Sequence, residues 1–321
     1  MSSPIDHGHI PVLVPEVIEL LNPESALAIV DCTLGRGGHA AELLERAGPQ
    51  TQLLGLDLDE QNLHAAAQRL AAYGQRVHYM RNSFARLDEA LAQAEMPQVD
   101  IIFADLGLSS NQLADAGRGF SFDAEGPLDM RLDTTQTTTA AELVNALPER
   151  QLADMLWQYG QERFSRRIAK RICQVRHHGR ITTTSALAKA VCSAVKVDPA
   201  SRRSRIHPAT RAFLALRIAV NHELENLEAL LAKAPEHLKP GGRVGVISFH
   251  SLEDRLVKHD FRQRKKEEIY RVLTPRPVTP GQSERRANPR SRSAKLRVAE
   301  RTDQPMSKMG DLGSAGKARG L

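Results

Sequence analysis

The feature that most constrains this chain lies in its first 110 residues, where short apolar runs alternate with segments of helical spacing. Residues 28–33 read as a buried strand that breaks at the turn Leu34-Gly35-Arg36-Gly37-Gly38. Helical spacing follows over 39–47 and stops at Gly48-Pro49. Further strands are expected over 52–58, 77–80 and 99–105, with a helix over 62–72. Strands alternating with helices in this way imply parallel βαβ units with helices on both faces of a mostly parallel sheet, an α/β fold.

The alternation stops near Gly117. Residues 140–147, 151–159, 165–175 and 185–195 have helical spacing, and no convincing strand lies among them. The α/β pattern then resumes. Phe213, Leu216, Val220, Leu224, Leu227 and Leu231 describe one face of a single long helix over 211–231. The turn Leu238-Lys239-Pro240-Gly241-Gly242 leads into a buried strand over 243–249. After Tyr270 only 294–299 suggests another strand, and 302–321 is expected to be mobile. The expected organisation is therefore a core in two parts, 1–116 and 211–301, an all-helical insertion over 117–210, and a tail over 302–321. Trp157 falls on the apolar side of its helix and is expected in the core.

Composition closes several other doors. Hydrophobic residues at 41% and charged ones at 26% exclude global disorder and fibres. No apolar run approaches the ~18 residues of a membrane span. The start, Met1 to His7, lacks a basic segment followed by an apolar one, so no secretory signal is expected. Cys32, Cys173 and Cys192 lie far apart without a Cys-x-x-Cys pair. That argues against a disulfide scaffold or zinc module and for a reducing compartment, hence a soluble, cytoplasmic protein. His7 and His9 have no third ligand at suitable spacing, and no metal is expected.

The net charge of +6 hides a segregation. Residues 1–159 carry 9 Arg and no Lys against 23 acids, a balance of −14. Residues 160–211 carry 13 basic residues against Glu162 and Asp198, a balance of +11, and 256–321 carry +10. Two dense basic blocks in an otherwise acidic chain suit a polyanionic partner such as nucleic acid. His177-His178, between Arg176 and Arg180, would meet phosphate and not metal.

Glycines between a parallel strand and a helix let the backbone approach a ligand, and the helix start offers unpaired N–H groups. Asp57 follows Gly35 by 22 residues, at the end of the second strand, where a carboxylate can accept both hydroxyls of a ribose. Asp105 ends the fourth strand. The third glycine of a dinucleotide fingerprint is replaced by Ala40, and Leu-Lys-Pro-Gly-Gly running into a strand is common in S-adenosylmethionine-dependent methyltransferases. The pattern favours S-adenosylmethionine over NAD.

Seven stretches can be read together. They are His9-Ile10-Pro11-Val12-Leu13, Gly35-Arg36-Gly37-Gly38-His39, Asp105-Leu106-Gly107-Leu108-Ser109-Ser110 and Arg118-Gly119-Phe120-Ser121-Phe122, followed by Gly126-Pro127-Leu128-Asp129-Met130-Arg131, His207-Pro208-Ala209-Thr210-Arg211 and Ser248-Phe249-His250-Ser251-Leu252-Glu253-Asp254-Arg255. In this order they resemble the bacterial ribosomal RNA small-subunit methyltransferase H family, also called MraW, over residues 7–302. The resemblance implies a class I (Rossmann-like) methyltransferase core with an inserted helical substrate domain. It also implies methylation of the exocyclic N4 of a cytosine in the decoding centre of 16S rRNA, free or within the small subunit. Cofactor contacts would fall on Gly35, Gly37, Gly38, His39, Asp57, Phe84, Asp105 and Gln112.

The N4 lone pair of cytosine is delocalised, so an acceptor for N4–H is needed and no covalent nucleophile is. Asp105, Ser109 or a backbone carbonyl could serve, and the sequence does not choose among them. Many amino-methyltransferases carry Asp/Asn-Pro-Pro-Tyr where this chain has Asp105-Leu106-Gly107-Leu108, so the target atom rests on the resemblance alone. Phe120 and Phe122, beside Arg118, could stack on an extruded base or pin the insertion to the core. Arg166, Arg167, Lys170 and Arg171 would meet RNA phosphates, and His250 could touch the base or simply be structural. Rival readings are a small-molecule methyltransferase, a non-catalytic RNA-binding assembly factor and, third, a dehydrogenase; a monomer and a dimer both remain open.

Overall fold

A computed structural model describes residues 10–196 and 207–305; His7, His9 and residues 306–321 of the expected tail lie outside them. β1 (Ala28–Asp31), β2 (Gln52–Asp57), β3 (Val77–Arg81), β4 (Val99–Asp105), β5 (Leu238–Ser248), β6 (Tyr270–Val272) and β7 (Lys295–Arg301) form one sheet in the order β3-β2-β1-β4-β5-β7-β6. The first five strands are parallel, and β7 runs antiparallel to β5 and β6. Ile29 faces Leu53 on one side and Ile101 on the other, which aligns the carboxyl ends of β1, β2 and β4. These central strands are continuous apolar runs because helices cover both faces. The expected turn at 238–242 is absorbed as a bulge in β5, between the pairs Val99↔Leu238 and Ile101↔Arg243. β6 was not foreseen; a three-residue edge strand is too short to carry a period.

The helices of the first half are α1 (Val14–Leu21), α2 (Gly38–Arg46), α3 (Glu60–Arg69), α4 (Leu87–Gln93) and α5 (Ser110–Ala114). After them come α6 (Ala140–Ala146), α7 (Glu149–Gln158), α8 (Ser165–His178) and α9 (Thr184–Val195), with no strand among the described residues of this stretch. The single helix expected over 211–231 is two, α10 (Thr210–Asn221) and α11 (Glu223–His237). They break at His222, which is left-handed with φ 50° and ψ 40°. Asn221 enforces the break: its Oδ1 accepts the Leu132 N–H at 2.7 Å and its Nδ2 donates to the Met130 carbonyl at 2.8 Å. Residue spacing runs through such a break unchanged, so periodicity does not reveal it. The chain closes with α12 (Ser251–Lys266) and α13 (Gln282–Ala287).

Three apolar clusters hold the molecule. Val30, Leu54, Ile102 and Val246 meet Leu227, Leu230 and Phe261 on one face of the sheet. Ile29, Leu53, Phe103 and Ile247 meet Val17, Leu21, Leu43 and Leu44 on the other. The third cluster lies in the insertion, where Phe120, Leu152, Ile168, Ile172 and Val191 pack with Phe213, Leu216 and Val220 of α10. Packing therefore puts the return to the core at His222, eleven residues beyond the boundary expected at 211. Each fully buried Leu or Ile contributes about 1.5–3 kcal/mol. Trp157 corrects another expectation: it is 59% exposed, because Leu152, Met155 and Leu156 already fill the inward face of α7. No helix among the described residues is long and apolar enough to cross a membrane. The first residues of the expected mobile tail are tied down, with Thr302 donating its N–H to the Ile269 carbonyl and Arg301 Nη2 donating to the Gln304 carbonyl.

Candidate active site

Parallel strands leave their carboxyl ends open at one edge, and there a cavity of about 370 Å³ is lined by Gly35, Gly38, His39, Asp57, Phe84, Asp105, Ser109 and Gln112. Of the expected cofactor residues only Gly37 is absent from this lining. It has φ +75°, and a Cβ there would stand 3.1 Å from Leu70, so glycine lets α2 start against α3.

Asp57 ends β2 beneath the glycine turn. Its Oδ2 accepts the Gly35 N–H at 2.8 Å and its Oδ1 the Asp59 N–H at 2.8 Å, while Asn62 Nδ2 lies farther off at 3.3–3.4 Å. A carboxylate has about four lone-pair sites, so one stays open beside these three donors, and a second where a ligand displaces the long Asn62 contacts. Burial pushes its pKa up to about 6, against the opposing pull of those backbone hydrogen bonds. Phe84 opens a short 3-10 turn capped by Ser83, and its ring borders the same space.

Asp105 ends β4 at the other side of the cavity. Its backbone N–H donates to Thr33 Oγ1 at 2.6 Å, yet its Oδ1 is buried without a hydrogen-bond partner. Burial, then Asp31 and Glu253, push its pKa well above the carboxylate range. His39 approaches Oδ2 at 3.5 Å through Nδ1, while Nε2 lies 2.8 Å from the Val12 carbonyl. A carbonyl only accepts, so Nε2 carries the proton. Ser109 starts α5 in a capping box with Gln112, and its buried Oγ makes no full hydrogen bond there. Gln112 accepts the Ser109 N–H through Oε1 at 3.0 Å and donates through Nε2 to Asp59 at 3.0 Å.

These residues fit S-adenosylmethionine. A carboxylate with acceptor capacity left beside its backbone donors suits the ribose, an aromatic side chain suits the adenine, and an orphaned buried carboxyl oxygen suits an ammonium or sulfonium charge.

Residues 6–302 match the model of a family described as the MraW methylase family. The chain belongs to the MraW methylase family. Among its relatives, the ribosomal RNA small subunit methyltransferase H of Sorangium cellulosum is 50% identical over 298 residues, covering 93% of this chain and 92% of that protein. The protein of the same name from Thermotoga neapolitana is 48% identical over 300 residues, covering 93% and 97%.

In this MraW methylase the expected substrate residues divide. Arg166, Arg167, Lys170 and Arg171 are all exposed on α8, whose opposite face buries Ile168, Ala169 and Ile172. Arg118, Phe120, Phe122 and His250 do not line the cavity. Arg118 pairs with Asp59 at 2.5 Å and donates to the Arg131 and Leu132 carbonyls, which ties the insertion to the core. Phe120 is buried in the helical cluster, and Phe122 stacks on His207 at 4.5 Å and meets Phe213 edge-on. Both rings therefore pack within the helical cluster itself. His250 caps α12, its Nδ1 accepting the Glu253 N–H at 3.4 Å and its Nε2 lying 3.1 Å from Glu253 Oε1. Burial works against its charge, but Glu223 and Glu253 more than offset that and raise its pKa.

Sequence reasoning missed Glu223, Asn226, Phe249 and Glu253, which line the cavity beyond Asp105. Glu223 was hidden inside the helix expected to be continuous, and Glu253 entered only as a letter of a motif. Glu223, His250 and Glu253 each bring one ligand atom within 4.8 Å of the others, a grouping the sequence did not show. Arg217 already holds both oxygens of Glu223 at 2.8 Å and supplies the countercharge there.

Proposed function

We propose that this enzyme transfers the methyl group of S-adenosylmethionine to the exocyclic N4 of a cytosine in the decoding centre of 16S rRNA, in the cytoplasm. The observation that carries the reading is one cavity holding a ribose-competent carboxylate, Asp57, at one end and an orphaned carboxyl oxygen, on Asp105, at the other. The RNA target is supported by the name its relatives bear and by the exposed basic face of α8.

When bound, S-adenosylmethionine supplies an electrophilic methyl group on a sulfonium. Asp57 would take the ribose hydroxyls and Phe84 the adenine face. Asp105 Oδ1 and Ser109 Oγ are the candidate acceptors of the N4–H hydrogen bond that returns electron density to the nitrogen; of the two, only Asp105, ionised when the sulfonium charge lies beside it, would take the proton. The N4 of a paired cytosine is engaged in its base pair and stacked within the RNA, so the base would be turned out to reach the cavity.

The deciding experiment incubates the protein with labelled S-adenosylmethionine and small subunits lacking the modification, and in parallel with naked 16S rRNA. Nucleoside mass spectrometry should find N4-methylcytidine from at least one substrate. Cofactor binding with methyl transfer to neither would overturn the assignment.

Replacing Arg166, Arg167, Lys170 and Arg171 together by alanine should weaken RNA binding and flatten its salt dependence, by about 0.7 in slope for each phosphate no longer neutralised. A binding isotherm whose salt slope equals that of the wild type would refute a role for this face.

A further inference from the structure

From the structure we propose a second RNA-backbone site, an arginine ridge formed by α13 and the 3-10 turn Pro289–Ser293, which holds the phosphates flanking the cytosine turned into the cavity. The proposal rests on the rRNA reading above.

The ridge carries Arg285, Arg286, Arg290 and Arg292, all exposed. Arg285 Nη2 reaches Thr279 Oγ1 at 3.4 Å, and none of the four lies within 4.0 Å of a carboxylate among the described residues. Charge nearby is treated differently: on β7, Lys295 and Arg297 both pair with Asp254, at 3.2 and 2.7 Å. The acid of α13, Glu284, turns to the N-terminal segment, where its Oε1 accepts the Leu13 N–H at 2.8 Å. Unneutralised positive charge is therefore left on the outer side.

The ridge is also rigidly placed. Asn288 Nδ2 donates to the Ile10 carbonyl at 3.0 Å, and the buried Ser291 donates its hydroxyl to the Asn288 carbonyl at 2.8 Å. Asn288, Pro289 and Arg290 form part of the cavity wall, beside Ile10 and Val12. A nucleotide whose base enters the cavity must leave its phosphates at this rim. Guanidinium forks match phosphate oxygens bidentately, and a fixed ridge loses little entropy in meeting them. The α8 face lies in the helical insertion and the ridge in the connection between β6 and β7 of the sheet, so RNA would be gripped by both parts of the molecule.

The test uses the triple variant R285A/R286A/R292A, which spares the cavity wall. An unmodified transcript of the 16S decoding region serves as probe, with affinity measured between 50 and 300 mM salt, on the order of the range that resolves such slopes. With three phosphates no longer met, the slope should become shallower by about 2, and binding should weaken tenfold or more at about 0.1 M salt. S-adenosylmethionine affinity by calorimetry and the denaturation midpoint should stay at wild-type values. A wild-type slope in the triple variant overturns the ridge; so does an equal loss of cofactor affinity, which would assign the arginines to the cofactor. The α8 quadruple variant runs in parallel. If it alone flattens the slope, the ridge fails and the RNA reading stands; if the wild type binds the transcript without salt dependence, the RNA reading fails and the ridge with it.

Discussion

Replacing Asp57 by alanine is expected to weaken S-adenosylmethionine binding by about 100-fold or more in calorimetry. Each hydrogen bond to a charged group contributes about 1.5–3 kcal/mol, and a ribose offers two. Asp57→Asn should fall between, since one oxygen remains. The carboxyl sits at about 6 because it is buried, so the charged acceptor is present above that pH and is lost below it. Cofactor affinity of the wild type should therefore be flat above about pH 7 and decline below about pH 6, a decline that Asp57→Ala should lack. Folding should suffer little. A carboxyl with a raised folded-state pKa is a net cost at pH 8, and removing it offsets the loss of its bonds to Gly35 and Asp59. Wild-type affinity in Asp57→Ala would remove the ribose role.

Arg118→Ala is expected to cost about 3–5 kcal/mol of stability in chemical denaturation, because it leaves the Asp59 carboxylate buried without its countercharge. Burial works against the Asp59 carboxylate, yet Gln112 and Arg118 outweigh it and hold its pKa below the usual range. The contribution is therefore present at neutral pH and lost as pH falls through the lowered value, so wild type and variant should converge in acid. Asp59 also caps α3 through the Gln61 N–H, and Gln112 connects it to Ser109. Cofactor affinity should decline with stability, whereas a variant that merely loosens the insertion would leave it intact. An unchanged denaturation midpoint would show that this pair does not hold the insertion to the core.

Much of the fold was legible because parallel strands buried on both faces must be continuous apolar runs, and helices packed on them must show their own period. The sequence thus located the strands at 28, 52, 77 and 99, the helices between 140 and 195, and glycines and acids that line the cavity at the strand ends. His222 and β6 escaped, one because a left-handed residue leaves spacing intact, the other because three residues make no pattern.

What only the tertiary structure decided is which polar groups face one another. Arg118 and Asp59 are 59 residues apart, and their pairing turns an expected RNA contact into a strut. Glu223 and Glu253 join the cavity only because α10 ends at His222 and β5 delivers α12 to the same edge. Periodicity records how a side chain faces its own element, which local sterics dictate. Partners across the sheet are chosen by the packing of whole elements, and no local spacing carries that information.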